Sequence, residues 1–186
     1  EEMFIKTVLI DNACGGYLDT SHLIEQKQEK VAIIMGDRTD YMESEKLDGY
    51  IQALEENNID INDEWIIETD GSREGGYNGF LEVVESSELP EGFFITRDLL
   101  AVGLIEAIKM GGYFIPDDFS VVGYGESIIT SIIDPPLTVV AEPLEQLGKY
   151  AAKYLIQLIK DESPPEMIKV LEPGLQMRES STPHIT

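Results

Sequence analysis

Short apolar runs, each closed by a glycine or a polar turn, alternate with amphipathic stretches at least four times along this chain, and that alternation leaves few folds open. Thr7 to Ile10 is closed by Asp11-Asn12, and Leu18, His22, Leu23 and Ile24 follow at helix-like spacing over Ala13 to Gln26. Val31 to Gly36 is a continuous apolar run, the pattern of a strand covered on both faces in a parallel sheet. From Met42 to Asn57, Leu47, Tyr50, Ile51 and Leu54 make one apolar helix face. Trp65 to Glu68, Gly92 to Thr96 and Phe119 to Gly123 predict strands, with helices over Glu74 to Ser86 and Leu99 to Met110, the latter stopped by Gly111-Gly112. Strand, helix, strand with short connections predicts right-handed βαβ units and an α/β, doubly wound parallel sheet.

Asp134-Pro135-Pro136 interrupts the pattern, because neither proline can donate to a central ladder, and a change of subdomain is expected there. Val139-Val140 predicts a short strand. Pro143 suits the start of a helix whose buried stripe is Leu144, Leu147, Ala151, Leu155 and Leu158, ending at Lys160. Ser163-Pro164-Pro165 marks a second crossing, and Met167 to Met177 a last extended segment.

Charge excludes some partners. Thirteen basic against 36 acidic residues give a net charge of -23, so the average surface repels nucleic acid and anionic membranes. No apolar run approaches the roughly 20 residues that span a bilayer. One cysteine, Cys14, excludes an internal disulfide and fits a reducing, cytoplasmic setting.

In an open parallel sheet the residues just past the strands' C-terminal ends face a crevice. Here they are Asp11, Asn12, Gly36, Asp37, Asp70, Thr96, Arg97, Tyr124, Gly125 and Glu126, a polar set that suits a small polar ligand. Asp11, Asp70 and Asp98 could equally serve as helix caps or turn residues, and Asp98, which opens the helix at Leu99, is expected to cap. Catalysis finds no support. His22 sits in mid-helix, His184 in the tail, and neither has a serine or cysteine nucleophile at a suggestive position. Gly15-Gly16 lacks the rest of a phosphate-binding motif and is expected to serve close packing of helix on strand. No His or Cys cluster marks a metal site, and no cofactor is expected.

At this point the residues resemble the effector-binding core of the lactose and galactose repressor family. The matching segments are Asp11-Asn12 with Gly15-Gly16-Tyr17 and His22-Leu23-Ile24; Val31 to Gly36; Lys46-Leu47 with Gly49-Tyr50 and Ala53-Leu54; Gly75-Gly76-Tyr77; Asp98 to Gly103; Ile115-Pro116 to Tyr124; Pro135 to Thr138; Pro143-Leu144 with Leu147-Gly148; and Met177 to Ser180. They span nearly the whole chain in family order. The resemblance implies two Rossmann-like doubly wound subdomains of the type I periplasmic-binding-protein fold, joined by three crossings near Gln28, Asp134 and Pro165. On that division residues 1–28 and 137–165 form an incomplete N-terminal subdomain, 29–136 and 166–180 a C-terminal one, and 181–186 a tail.

What the resemblance implies about function is a bacterial transcriptional regulator that binds a sugar-like effector between its subdomains, works as a homodimer and reads operator DNA through a helix-turn-helix head upstream of this sequence. A transporter's periplasmic sugar-binding protein is the alternative. The implied effector site comprises Asp11, Asn12, Cys14, Asp37, Lys46, Arg97, Tyr124, Gly125 and Glu126. Several positions depart from the family's pattern: Lys46 where arginine is common, Arg97 where asparagine is common, and Gly125 where aspartate is common, with Cys14 in place of a polar contact. Lysine loses the bidentate fork that grips vicinal hydroxyls. Two expectations compete: Arg97 and Lys46, with Gly125 in place of a carboxylate, make a more positive site for a sugar phosphate or sugar acid, or Arg97 pairs with Glu126 and partly fills the pocket, leaving the effector site reduced or lost.

Overall fold

The computed structural model describes residues 6–160 and 167–181. Ser163-Pro164-Pro165, His184 and the tail beyond Ser181 lie outside the described residues. The expected alternation is present as β1 (Thr7–Ile10), α1 (Asn12–Glu25), β2 (Val31–Met35), α2 (Tyr41–Glu56), β3 (Ile66–Glu68), α3 (Arg73–Val84), β4 (Gly92–Ile95), α4 (Asp98–Met110), β5 (Ser120–Tyr124), α5 (Ile128–Ile132), β6 (Thr138–Ala141), α6 (Leu144–Ile159), β7 (Ile168–Leu171) and β8 (Gly174–Gln176). The short helix α5, capped reciprocally by Ser127 and Thr130, has too little periodicity to be read from sequence.

Six strands form one sheet in the order β3-β2-β4-β5-β6-β8, parallel except for the antiparallel edge strand β8. The order places β2, the first of these strands in the chain, between β3 and β4. The connections therefore wind in opposite directions from β2, and a topological switch point falls between β2 and β4. Side chains alternate across the sheet. Val31, Ile33 and Met35 of β2 join Phe94, Val122 and Val140 under α1 and α2, through Leu23, Leu47, Tyr50 and Leu54. Ala32 and Ile34 join Phe93, Ile95 and Val121 under α3 and α4. This second face carries an aromatic cluster in which Phe119 meets Phe93 and Tyr113 edge-on at ring centroids 5.4 and 5.0 Å apart.

A separate pair, β1 with β7, is parallel and two-stranded. The sheets divide the chain at other points than the sequence suggested. Helix α1 was expected with the N-terminal subdomain, yet its Leu23 is fully buried in the core of the six-stranded sheet. Strand β6, expected with the N-terminal unit, pairs with β5, so the chain does not leave the sheet at Asp134. Strand β7, expected in the larger unit, pairs with β1. The chain passes between sheets after Ile10, after Ala141 and after Leu171. Pro135-Pro136 makes only a loop between adjacent strands, held when the Leu137 amide donates to the Thr130 carbonyl.

Helix α6 corrects a second expectation. Leu144, Leu155 and Leu158 are exposed and only Tyr154 is buried, because α6 packs chiefly beside β1, and among the described residues nothing covers its apolar face.

Candidate functional site

A cleft of about 490 Å³ opens at the C-terminal ends of β2, β4, β5 and β6, over the switch point. A larger groove, of about 730 Å³, lies at the opposite ends of the strands around Asn62 and Glu88, away from the convergent polar groups.

At the floor of the cleft is Glu43, which the sequence reading did not single out. It stands in the first turn of α2, after Asp40, whose carboxylate caps the helix by accepting from the Met42 amide at 2.9 Å. The Glu43 side chain turns inward and is 1% exposed. Its Oε2 accepts from the Gly36 amide at 2.8 Å and from the Thr96 hydroxyl, and its Oε1 receives Lys46 Nζ and Arg97 Nε, each at 3.1 Å. Burial alone would push this carboxyl up. The Lys46 ammonium, the Thr96 hydroxyl and the Gly36 N–H more than offset that and hold it below the usual carboxylate range.

Lys46 also donates to the Thr96 carbonyl at 3.1 Å and sits 4.3 Å from the centroid of the Tyr124 ring. Tyr124 donates its hydroxyl to Asn12 Oδ1 at 2.9 Å. Its phenol is pushed strongly up, first by burial and then by Glu142, Asp19 and Asp11. Arg97 lies across the bare backbone of Gly36 and of Gly71, whose φ is +77°, and reaches Asp40 at 3.2 Å as well as Glu43. A side chain at either glycine would crowd the guanidinium.

Of the expected site residues, the cleft gathers Asn12, Lys46, Arg97, Tyr124, Gly125 and Glu126, together with Asp98. Three stand apart from its lining. Asp11 caps α1, accepting from the Cys14 amide at 2.8 Å. The Cys14 thiol is pushed up by burial and by Asp11 and Glu172, the opposite of a reactive thiolate. Asp37 is exposed and bonded to Thr39 in its own turn. Asp98 is the first residue of α4 rather than its N-cap, and accepts from the adjacent Leu99 amide.

The expected pairing of Arg97 with Glu126 does not occur. Gly36 and Gly71 let Arg97 lie toward α2, and Glu126 is instead bound by Arg178 at 2.8 Å. Arg178 also donates to the Leu137 carbonyl, while Ser180 Oγ accepts from the Thr138 amide and donates to the Val121 carbonyl. The Met177 to Ser180 motif is therefore a clasp across β5 and β6 that ends at the cleft. His22 is buried and shares a 2.8 Å hydrogen bond with Ser181, whose hydroxyl donates to Thr138, so it belongs to this clasp.

Beneath the site, Asp19 on α1 is fully buried, and among the described residues neither of its oxygens meets a partner in hydrogen-bond geometry. Burial drives its pKa well above the usual carboxylate range, against the pull of Lys46 and the Val140 N–H. A carboxyl raised in the folded state is neutral in both states at low pH. It weighs on stability only above the unfolded value near 4, increasingly as pH rises. Replacing Asp19 by asparagine is expected to change stability little at about pH 3 and to raise it at pH 7 by on the order of 1 kcal/mol, roughly 2–4 °C in Tm. Thermal unfolding at the two pH values checks this.

A family model described as a periplasmic binding protein-like domain matches residues 20–181. The chain is 36% identical over 179 residues to the ribose operon repressor of Haemophilus influenzae, covering 96% of this chain and 54% of that protein. It is 32% identical to an HTH-type transcriptional repressor, PurR, of Photobacterium profundum, over 91% of this chain and 51% of that one. A solved LacI family transcriptional regulator from Enterococcus faecium with bound ribose superimposes with a TM-score of 0.86 at 30% identity, covering 98% of this chain and 68% of that one. The chain thus spans about half the length of the curated relatives it matches.

Proposed function

The chain belongs to the LacI family of transcriptional regulators, in the part that carries the periplasmic binding protein-like domain, and from that premise we propose that it senses a small sugar-like effector in the cleft over the β2/β4 switch point. The observation that carries this reading is the convergence of Asn12, Lys46, Arg97 and Tyr124 from four different elements onto one opening at the strands' C-terminal ends. Gly125 and Glu126 contribute its far wall. Asp11, Cys14 and Asp37 stand outside its lining, and Asp11 acts on it only by capping α1, the helix that carries Asn12.

In the whole protein, effector binding shifts an equilibrium between two arrangements of the subdomains, and a homodimer conveys that shift to operator DNA held by a helix-turn-helix unit. The six-stranded sheet belongs to one subdomain on this reading, and β1, β7 and α6 belong to the other. The net charge of -23 argues against DNA contact by these residues themselves. The setting is the cytoplasm, and the role is regulatory rather than catalytic. The relatives, which are repressors, do not favour a transporter's binding protein.

Thermal unfolding of the 186-residue chain with D-ribose and a panel of other sugars, sugar phosphates and sugar acids tests the reading. A ligand at 100 times its Kd adds about 2.7 kcal/mol, which raises Tm by several degrees. Absence of a shift with every member of the panel would overturn it.

A further inference from the structure

The effector's charge class follows from which groups in the cleft already have partners. Both cations that line it are engaged: Lys46 by Glu43 and the Thr96 carbonyl, Arg97 by Glu43 and Asp40. A further cation beside the cleft, Arg178, is held by Glu126. Among the described residues, five carboxylates line the same cleft against those two cations. One of the five, Glu142, follows β6 at the point where the chain leaves the six-stranded sheet. Among the described residues no group pairs with its carboxylate. Across from it Gly125, at φ +92°, presents no side chain. Glu142 Oε2 stands 3.5 Å from the point that a Cβ there would occupy. Glu142 lines the same cleft as Lys46, Tyr124 and Asn12, and its charge is one of the causes that raise the Tyr124 phenol.

We propose that Glu142 is the carboxylate that grips the effector, and that it selects an uncharged polyhydroxy ligand over phosphorylated or carboxylated ones. This rests on the effector-binding reading given above. An ionised carboxylate only accepts hydrogen bonds, and its two oxygens can take two neighbouring hydroxyls at once. Such charge-assisted bonds are about twice as strong as neutral ones. A phosphate or carboxylate in the same place meets Glu142 as a like charge and finds the cleft's cations among the described residues already paired, so its lost hydration is not replaced. Binding it requires breaking the Glu43 network first.

The test uses calorimetric titration of the 186-residue chain, its Glu142→Gln and its Glu142→Asp variants with D-ribose, D-ribose 5-phosphate and D-gluconate, beside a panel of neutral pentoses and hexoses. The expected result is that a neutral sugar binds and the two anions bind at least about 10-fold more weakly. Glu142→Gln then weakens the neutral sugar by about 10-fold or more, narrows the gap to the anions, and leaves the Tm of the free protein unchanged. Glu142→Asp, which keeps the charge on a shorter arm, falls between. Binding of an anion as tight as or tighter than that of any neutral sugar would overturn the assignment. Wild-type affinity in Glu142→Gln would also overturn it, while leaving the sensing role standing. No binding of any probe by the unmodified chain overturns the sensing role and the assignment together, and the unmodified chain alone separates that case from the others.

Discussion

Replacing Glu43 by alanine is expected to destabilise the protein by about 3–5 kcal/mol and lower Tm by roughly 6–20 °C, an effect no other charged residue of the cleft should match. The size follows from what is left behind. The Gly36 amide, the Thr96 hydroxyl, the Lys46 ammonium and Arg97 Nε all converge on this one carboxylate. Lys46 is itself buried, so its charge would stand uncompensated where water cannot replace the lost partner. Glu43→Gln keeps the shape and one acceptor oxygen and should cost less. The two together separate shape from charge.

The pH dependence carries a sign. Glu43 has a folded-state pKa below its unfolded one, so its contribution is present above about pH 4.3 and is lost as pH falls through the depressed folded value. Denaturant unfolding across about pH 3–7 should therefore show a shallower acid loss in the alanine variant than in the unmodified chain. A loss below about 1 kcal/mol at pH 7 would mean that the network behaves as surface pairs do.

Glu43 also shows where a sequence stops being legible. Asp40-Tyr41-Met42-Glu43 reads as an ordinary helix start, with a capping aspartate and a glutamate three residues on that belongs at the surface. Nothing local shows that Gly36 and Thr96, from two other strand ends, present donors to it. The strands and helices were legible because their cause is local periodicity, and Arg97 and Tyr124 were placed in the crevice because strand ends are. The direction taken by Arg97 was not legible, since it depends on two bare glycine backbones, Gly36 and Gly71, beneath its guanidinium. The assignment of β6 and β7 to sheets was not legible either. Both are short apolar strands, and only their partners, β5 and β1, decide which sheet each joins. Helix α6 has the clearest apolar stripe in the chain, yet that stripe is exposed among the described residues, because periodicity shows that a face seeks cover and does not say what provides it.

Gly49→Ala is the second large expected effect, about 3 kcal/mol of lost stability and roughly 6–12 °C in Tm, although alanine is the better helix former. A Cβ at Gly49 on α2 would run into the Ala13 carbonyl of α1, and one at Gly16 on α1 into the Lys46 carbonyl of α2. In each case the backbone oxygen struck lies three residues before the facing glycine, so the two helices clasp reciprocally. Helices α3 and α4 repeat the arrangement on the other face of the sheet, with Gly76 against the Leu100 carbonyl and Gly103 against that of Arg73. The expected close packing at Gly15-Gly16 is thus of two kinds: Gly15 leaves room for the Tyr124 ring, while Gly16 admits a second helix rather than a strand. Backbone atoms cannot rotate out of the way as side chains can, so the helices must separate. At the α1/α2 clasp that separation carries α2, with Lys46 and Glu43 on it, away from Asn12 on α1 and so opens the wall where Lys46 meets Tyr124. Gly16→Ala is expected to weaken effector binding as well as stability, and Gly76→Ala stability alone. Gly148 on α6 supplies the contrast, since nothing lies within 4 Å of a Cβ there. The same substitution at that position should stabilise by up to about 1 kcal/mol, so thermal unfolding of Gly49→Ala and Gly148→Ala should give shifts of opposite sign.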